Sequence, residues 1–516
     1  MTTRPHVYAD NLVATSQPLA AQAGLHVLRE GGNAVDAALA TAIALTVLEP
    51  VSNGLGSDAF ALVHDGHRLH GLNGSGRSPA AWTPDRFAGL DIMPNRGWDA
   101  ITVPGAVHLW PTLHEALGRL DFTRLFDPAI HYARHGYPVS PIIARQWATA
   151  ADTYRDLPAW CDTFLIAGRA PAPGERFACP AMATTLEAIR DSRGEAFYQG
   201  ALAQRIADDA RAHDALLTAD DLARHTTDWV APIAIDHYDV RVHEIPPNGQ
   251  GAAALIALGI LEALDIRAHD VDTADSVHLQ VEAMKLAFAD AFAHVADIDH
   301  MQVSLDWLLD RHRLAQRART IRLDTAQTPA ADIPVDHGTV YLAAADADGL
   351  MVSFIQSNYE GFGSGIVIPD TGISMHNRAA GFTLDPGHPN QVGRAKRPFH
   401  TIIPAFATHN DQPALAFGVM GGHMQAQGHV QMILRCFTTG QHPQAASDAP
   451  RWHVTPEFNL ALETGFDPAV AASLAQRGHA IVDTDVYFGG AQLIRKLPTT
   501  YTAGSDHRKD GQAVGY

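Results

Sequence analysis

Cysteine is almost missing from this chain. Three stand among 516 residues, Cys161, Cys179 and Cys436, at unrelated spacings, so neither a disulfide framework nor a CxxC redox or zinc pair is readable. Basic residues are short as well: 37 Lys and Arg against 56 Asp and Glu leave a formal net charge of −19. That balance argues against nucleic acid and against an anionic membrane surface as partners. Long apolar runs are lacking too. The most apolar early stretch, residues 37–48, is interrupted by Thr41 and Thr46, too short for a membrane span and too late for a signal peptide, and a cytoplasmic protein is expected. The 29 histidines include no HExxH motif. His131 and His135 stand four apart on an expected helix but have no third ligand in the sequence around them, so neither a metal nor an organic cofactor is expected. A dinucleotide fingerprint is lacking as well, because the glycine-rich loop 52–58 follows a helix and precedes a strand, the reverse of the required order.

What is present is an ordinary globular pattern of alternating helices and strands. Helical spacing runs over residues 17–29 and 34–48, broken by Gly31-Gly32-Asn33, where glycine suits a helix C-terminus. A short strand at 59–64 follows the glycine loop, in which Asp58 reads as a turn cap. Residues 107–231 look mainly helical with proline breaks. A strand at 240–245 leads through Pro246-Pro247-Asn248-Gly249-Gln250-Gly251 into helices at 252–264 and 275–294. Residues 320–336 are polar and aperiodic, as in a linker. Beyond them the chain is strand-rich, with helices near 425–436 and 468–477.

The most informative stretch is 336–365. Two strand-like runs, 340–345 and 350–357, flank Asp346-Ala347-Asp348-Gly349, a strong hairpin signal. A Gly338–Thr339 pair stands at its head. A threonine opening a buried strand is otherwise just a β-former. If the Gly338–Thr339 bond is cut by the protein itself, Thr339 gains a free α-amine beside its hydroxyl. With an unperturbed pKa of ~7.7–8.0 that amine can serve as the local base, so no histidine or aspartate partner is required. Asp336 and His337 could assist the cut.

Many short motifs, in one order along nearly the whole chain, resemble the γ-glutamyltranspeptidase family of N-terminal nucleophile hydrolases. They run from Gly31-Gly32-Asn33-Ala34 through Glu49-Pro50, the loop 54–60, Val103-Pro104-Gly105, the 246–251 turn and 282–290. They end with Gly338-Thr339, Phe362-Gly363-Ser364-Gly365, Arg397-Pro398, Gly421-Gly422 and Gly515-Tyr516. The resemblance implies a four-layer αββα sandwich made as a proenzyme, with residues 1–338 as the large subunit and 339–516 as the small one, together a single globular unit. Such pairs could associate again as dimers. It implies Thr339 as nucleophile, Ser357 as the hydroxyl bonded to it, and Gly421 and Gly422 as the oxyanion-hole donors. Glycine suits that last role, because two amides can then approach a developing oxyanion.

Departures from the family pattern concentrate on the substrate side. Val340 and Tyr341 follow the nucleophile where a threonine and a histidine are usual. The segment 376–381 offers no acidic residue for a substrate α-amine, His400 and Thr401 replace paired serines, and only Arg77 and Arg86 stand near the expected arginine. Arg378, Arg397, His400, Thr401 and Tyr359 are the expected substrate contacts, the arginines as partners for an anionic acyl group. The pattern is similar to the cytoplasmic branch that includes an oxamate amidohydrolase. The leading expectation is amide hydrolysis, with transfer of the acyl group open, on a γ-glutamyl compound such as glutathione. An oxamate-like or glutaryl amide is the alternative substrate, and a non-catalytic member that keeps only the fold is the alternative of another class.

Overall fold

The structure, a computed structural model, describes residues 4–329, 338–482 and 487–516. Asp336 and His337 therefore lie outside the described residues. Burial with period two organises the centre of the molecule. In the strand Val340–Ala345, the side chains of Val340, Leu342 and Ala344 enter one core, and those of Tyr341, Ala343 and Ala345 enter another. A strand buried on both faces reads as a continuous apolar run, which is why this one lacks polar alternation.

Two seven-stranded sheets carry these faces, and every pairing within them is antiparallel. One sheet runs, in spatial order, Gln512–Gly515, Leu12–Thr15, Val340–Ala345, Met351–Ser357, Asp58–His64, Leu69–Asn73 and Asp228–Val230. The other runs Val7–Ala9, Tyr501–Ser505, Gly490–Lys496, Gln412–Met420, Ala405–His409, Val240–Glu244 and Ile233–His237. The helices Pro18–Arg29 and Ala34–Leu48 cover the outer face of the first sheet, and Gly251–Ala263, Ala274–His294 and Met424–Ile433 cover the second. The result is the αββα sandwich. Segments 1–338 and 339–516 are not separate bodies, since each sheet mixes strands from both.

The expected elements form where their local chemistry directs. Asn33 caps Ala34–Leu48 with a capping box to Asp36, Gln17 caps Pro18–Arg29, and Gly31 takes φ +93° just past the first helix. The hairpin pairs Val340 with Gln356 and Ala345 with Met351, and Gly349 turns it at φ +96°. Tyr341, which departs from the family pattern, is buried between the sheets, where its hydroxyl lies 2.7 Å from Ser353 Oγ. Gly418 on the facing sheet makes room for it: a Cβ there would lie 2.3 Å from the Tyr341 ring. The helix expected near 425–436 is α-helical over Met424–Ile433 and continues as a π-helical turn, Leu434–Thr438. Among the described residues no helix is long and apolar enough to cross a membrane.

Candidate active site

Thr339 sits at the mouth of the central hairpin, buried, beside a cavity of about 590 Å³ that it helps to line. Its hydroxyl donates to the Gly338 carbonyl oxygen at 2.6 Å. The Ser357 hydroxyl, at the end of the paired strand, donates to the same oxygen at 2.7 Å and lies 3.3 Å from Thr339 Oγ1. One carbonyl oxygen thus accepts from two hydroxyls, which draws electron density from its carbon next to a potential nucleophile. Gly338 takes φ +120°, and a Cβ on it would lie 2.9–3.0 Å from backbone atoms of Tyr359, Glu360 and Gly361.

Behind the strand Gln412–Met420, Gly421 and Gly422 adopt φ +112° and +56° and lead into the helix Met424–Ile433. A Cβ on Gly421 would strike the Tyr487 ring at 2.6 Å. Gln425, in the first turn of that helix, points its amide nitrogen at Thr339 Oγ1, 3.4 Å away, while its Oε1 accepts from Ile403 N–H at 3.0 Å. The glycine turn is therefore carried next to Thr339. Gln250 ties the turn down, donating to the carbonyls of Gly422 at 2.9 Å and Thr401 at 2.5 Å.

The expected substrate contacts divide. Arg378, Tyr359, His400 and Thr401 gather behind Ser357, all buried. Arg378 donates to Thr401 Oγ1 at 2.9 Å and to Ser357 Oγ at 3.4 Å, and its guanidinium lies 4.2 Å from the Tyr359 ring centre. Arg397 does not join them: it donates to the Ser75 carbonyl at 2.9 Å and pairs with Asp228 at 2.7 Å. Arg77 and Arg86 are likewise occupied, by Asp297 and Asp99.

Asp58, read from sequence as a turn cap, is the hub of this buried group. Its carboxylate accepts N–H bonds from Gly76 at 3.3 Å, Gly105 at 3.1 Å and His400 Nε2 at 3.1 Å. His376 Nε2 and Arg378 Nε lie at 3.8 and 4.0 Å. Burial pushes the Asp58 carboxyl up to about 7, against the pull of Arg378 and of the two backbone N–H groups. Burial and Arg378 push His376 down to about 3 and His400 well below the ordinary range. Both imidazoles are thus neutral. His376 Nδ1 accepts from Arg378 N–H at 3.0 Å and His400 Nδ1 from Ile402 N–H at 3.4 Å, which leaves each proton on Nε2; that of His400 goes to Asp58.

Apart from Phe362, the open side of Thr339 is lined by residues that no local motif marks. Arg96, Glu360 and Lys509 bring charge, Gln146, Thr149 and Thr153 bring polar groups, and Tyr154, Phe362 and Tyr487 bring rings. Burial pushes the Lys509 ammonium down, but the Glu49 carboxylate 3.1 Å away more than offsets it, so the lysine stays charged. Burial raises the Glu360 carboxyl.

Among the described residues, His278, Glu282 and His479 have the spacing of metal ligands, whereas His131 and His135 do not belong to such a group. Lys285 Nζ already sits among them, 3.0 Å from Glu282 Oε1 and 3.4 Å from His479 Nδ1. Each ring nitrogen also has a partner: His278 Nε2 faces the Arg322 carbonyl at 2.8 Å, and its Nδ1 faces His479 Nε2 at 2.8 Å. Glu282 and Lys285 hold the N–H and carbonyl of Gln327 at 2.9 and 3.0 Å. An ammonium among the ligand atoms repels a divalent cation, so the group fits a clip on the 322–327 stretch better than a metal centre.

The gamma-glutamyltranspeptidase family profile matches residues 20–516. The glutathione hydrolase-like YwrD proenzyme of Bacillus subtilis is 37% identical, with 98% of each chain covered. The oxamate amidohydrolase proenzyme of Klebsiella pneumoniae is 36% identical, with 99% of each covered. The crystal structure of cephalosporin acylase from Bacillus halodurans superposes with a TM-score of 0.95 at 47% identity, covering 100% of this chain and 98% of the other.

Proposed function

The chain belongs to the gamma-glutamyltranspeptidase family, and from that premise we propose that it is a self-processing N-terminal threonine amidohydrolase whose nucleophile is Thr339. The carrying observation is the Gly338 carbonyl oxygen held at 2.6 and 2.7 Å by the hydroxyls of Thr339 and Ser357. In the uncut chain, Thr339 Oγ attacks the Gly338 carbon and the C–N bond breaks. The hydroxyl proton ends on the nitrogen, which becomes the α-amine of Thr339, and an ester remains. Water cleaves the ester, leaving a Gly338 carboxylate and a free Thr339. In turnover the same hydroxyl attacks a substrate amide, its proton passing through the α-amine to the leaving nitrogen. The N–H groups of Gly421 and Gly422 receive the oxyanion. Water, or an acceptor amine, then takes the acyl group.

The charges facing the cavity favour an amide of a small acid. Arg96 and Lys509 can receive a carboxylate, and Glu360 supplies the acidic group for an α-ammonium that segment 376–381 lacks. Together they suit a γ-glutamyl substrate. A simpler acid amide, glutaryl or oxamic, is the second reading. It needs only one cation for its carboxylate, which Arg96 or Lys509 on the cavity wall can supply. Rates for γ-glutamyl, glutaryl and oxamic anilides on the processed enzyme decide between them. The γ-glutamyl compound is expected to lead by at least about tenfold, roughly 1.4 kcal/mol of differential transition-state binding. If it trails both others, the simpler amide takes its place.

A further inference from the structure

Arg378 was expected at the substrate, yet its guanidinium is turned away from the Thr339 cavity and into the fold, and this placement points to a different task. Ser357 Oγ accepts from Tyr359 N–H at 2.8 Å and from Arg378 Nη2 at 3.4 Å. A serine hydroxyl has two lone pairs and one proton. With both lone pairs facing donors, the proton is left for the Gly338 carbonyl oxygen at 2.7 Å, the nearer of the two remaining neighbours; Thr339 Oγ1, at 3.3 Å, gives its own proton to that same oxygen. The Arg378 contact is long, so it acts mainly through charge, but that charge is fully buried and weakly screened. It lies behind the hydroxyl, on the side where it draws electron density away from the scissile carbonyl.

Arg378 is itself held in place. Thr401 Oγ1 accepts from its Nη1 at 2.9 Å, the Tyr359 ring lies beneath it at 4.2 Å, and Asp58 balances its charge 4.0 Å from Nε. Asp58 is in turn fixed by Gly76, Gly105 and His400, and it pairs directly with Ser357 across the sheet. The groups facing Asp58 are Arg378 and the neutral His376 and His400, with Arg397 acting at longer range. One buried anion therefore holds one buried cation directly behind the hydroxyl that touches the bond to be cut.

We propose that Arg378, anchored by Asp58, is a positioning residue for self-cleavage: it directs the Ser357 hydroxyl onto the Gly338 carbonyl and thereby sets the rate at which the precursor cuts itself. The proposal rests on Thr339 as the attacking residue. No further reactant is needed, because Arg378 and Asp58 neither gain nor lose a proton in the acyl shift.

The test follows the uncut chain, labelled in a short cell-free translation pulse and chased on denaturing gels. Arg378→Gln is expected to slow cleavage at least thirtyfold, with Arg378→Lys restoring part of the rate. In a Ser357→Ala background, Arg378→Gln should add less than a further twofold, because its effect passes through the missing hydroxyl. A structural role would instead multiply the two losses. Full multiplication, or cleavage of Arg378→Gln at the wild-type rate, overturns the proposal. A second arm uses pH. Asp58 ionises near 7, so its anchoring charge is present above that pH and is lost as pH falls through it. The wild-type cleavage rate should therefore drop through about pH 7, and the inflection should vanish in Asp58→Asn. This arm decides if Ser357→Ala shows no cleavage or Arg378→Gln does not fold, and the same inflection in Asp58→Asn overturns the proposal. If instead the wild-type chain never cuts at Gly338–Thr339, it is the reading of Thr339 that fails, and the gel distinguishes the two.

Discussion

Thr339→Ala is expected to leave the chain at full length and without measurable turnover. The substitution removes the only hydroxyl that the fold places on the Gly338 carbonyl from within the scissile pair, while Ser357 remains to bond that oxygen but has no amine to gain by attack. Loss of a covalent nucleophile elsewhere costs on the order of 10⁶-fold in rate, so both processing and catalysis should fall below detection. On a denaturing gel the wild type should give two bands, with N-terminal sequencing of the smaller reading Thr339-Val340-Tyr341. A Thr339→Ala enzyme assembled from separately expressed halves separates the two effects. Activity in that pre-cut form, or a wild-type small chain that starts elsewhere, would remove Thr339 from the mechanism.

Gly338→Ala should stop or nearly stop self-cleavage through sterics alone. A Cβ at 338 would lie 2.9 Å from the Tyr359 carbonyl oxygen and 3.0 Å from Glu360 C and Gly361 N, all backbone atoms with little freedom to yield. The φ of +120° adds strain for any residue with a side chain. The chain must then shift at the very carbonyl that Ser357 and Thr339 hold, and a misplacement near 1 Å can cost ~100-fold. Cleavage measured in a pulse-chase should slow by at least about that factor. Once cut, residue 338 ends the large subunit and no longer carries the reacting carbonyl, so processed Gly338→Ala enzyme should have kcat within about twofold of wild type. Normal cleavage by this variant would show that the precursor relaxes around residue 338 before it reacts.

The parts of this molecule that a sequence reading reached are those written in short windows. The hairpin is one: the two apolar runs around Asp346-Ala347-Asp348-Gly349 pair antiparallel, from Val340 with Gln356 to Ala345 with Met351. The Gly31-Gly32-Asn33 break between the first two helices is another, although Asn33 also caps Ala34–Leu48, a local signal that the reading passed over. Asp58 shows what lies beyond such windows. Its donors come from Gly76, Gly105 and His400, the last 342 residues away, so nothing beside Asp58 in the chain announces its role. Lys509 and Glu49 meet across 460 residues at the cavity wall for the same reason. The two arginines teach a related lesson. Charge marked Arg378 and Arg397 as anion partners, but a long flexible side chain takes the carboxylate or hydroxyl that tertiary packing brings nearest. For Arg397 that partner is Asp228, and for Arg378 it is Thr401 and Ser357. Gln425 was within reach, since a helix beginning two residues after Gly422 must aim its first-turn side chains at whatever the glycine turn faces.

The alternation of strands across the two sheets has a bearing on how the protein survives its own cut. In the first sheet, Val340–Ala345 lies between Leu12–Thr15 and Met351–Ser357, and Met351–Ser357 lies against Asp58–His64. In the second, Gln412–Met420 and Ala405–His409 separate Gly490–Lys496 from Val240–Glu244. Breaking one peptide bond at the head of the hairpin removes none of these pairings. It changes the molecularity of unfolding instead. The precursor unfolds to one chain and can refold at any dilution, whereas the cut form unfolds to two chains that must find each other again, so its apparent stability becomes concentration-dependent. Neither chain alone can rebuild a complete sheet, and each would expose unpaired strand edges prone to aggregation. Self-cleavage thus turns a reversible folding problem into one whose persistence depends on the height of the unfolding barrier.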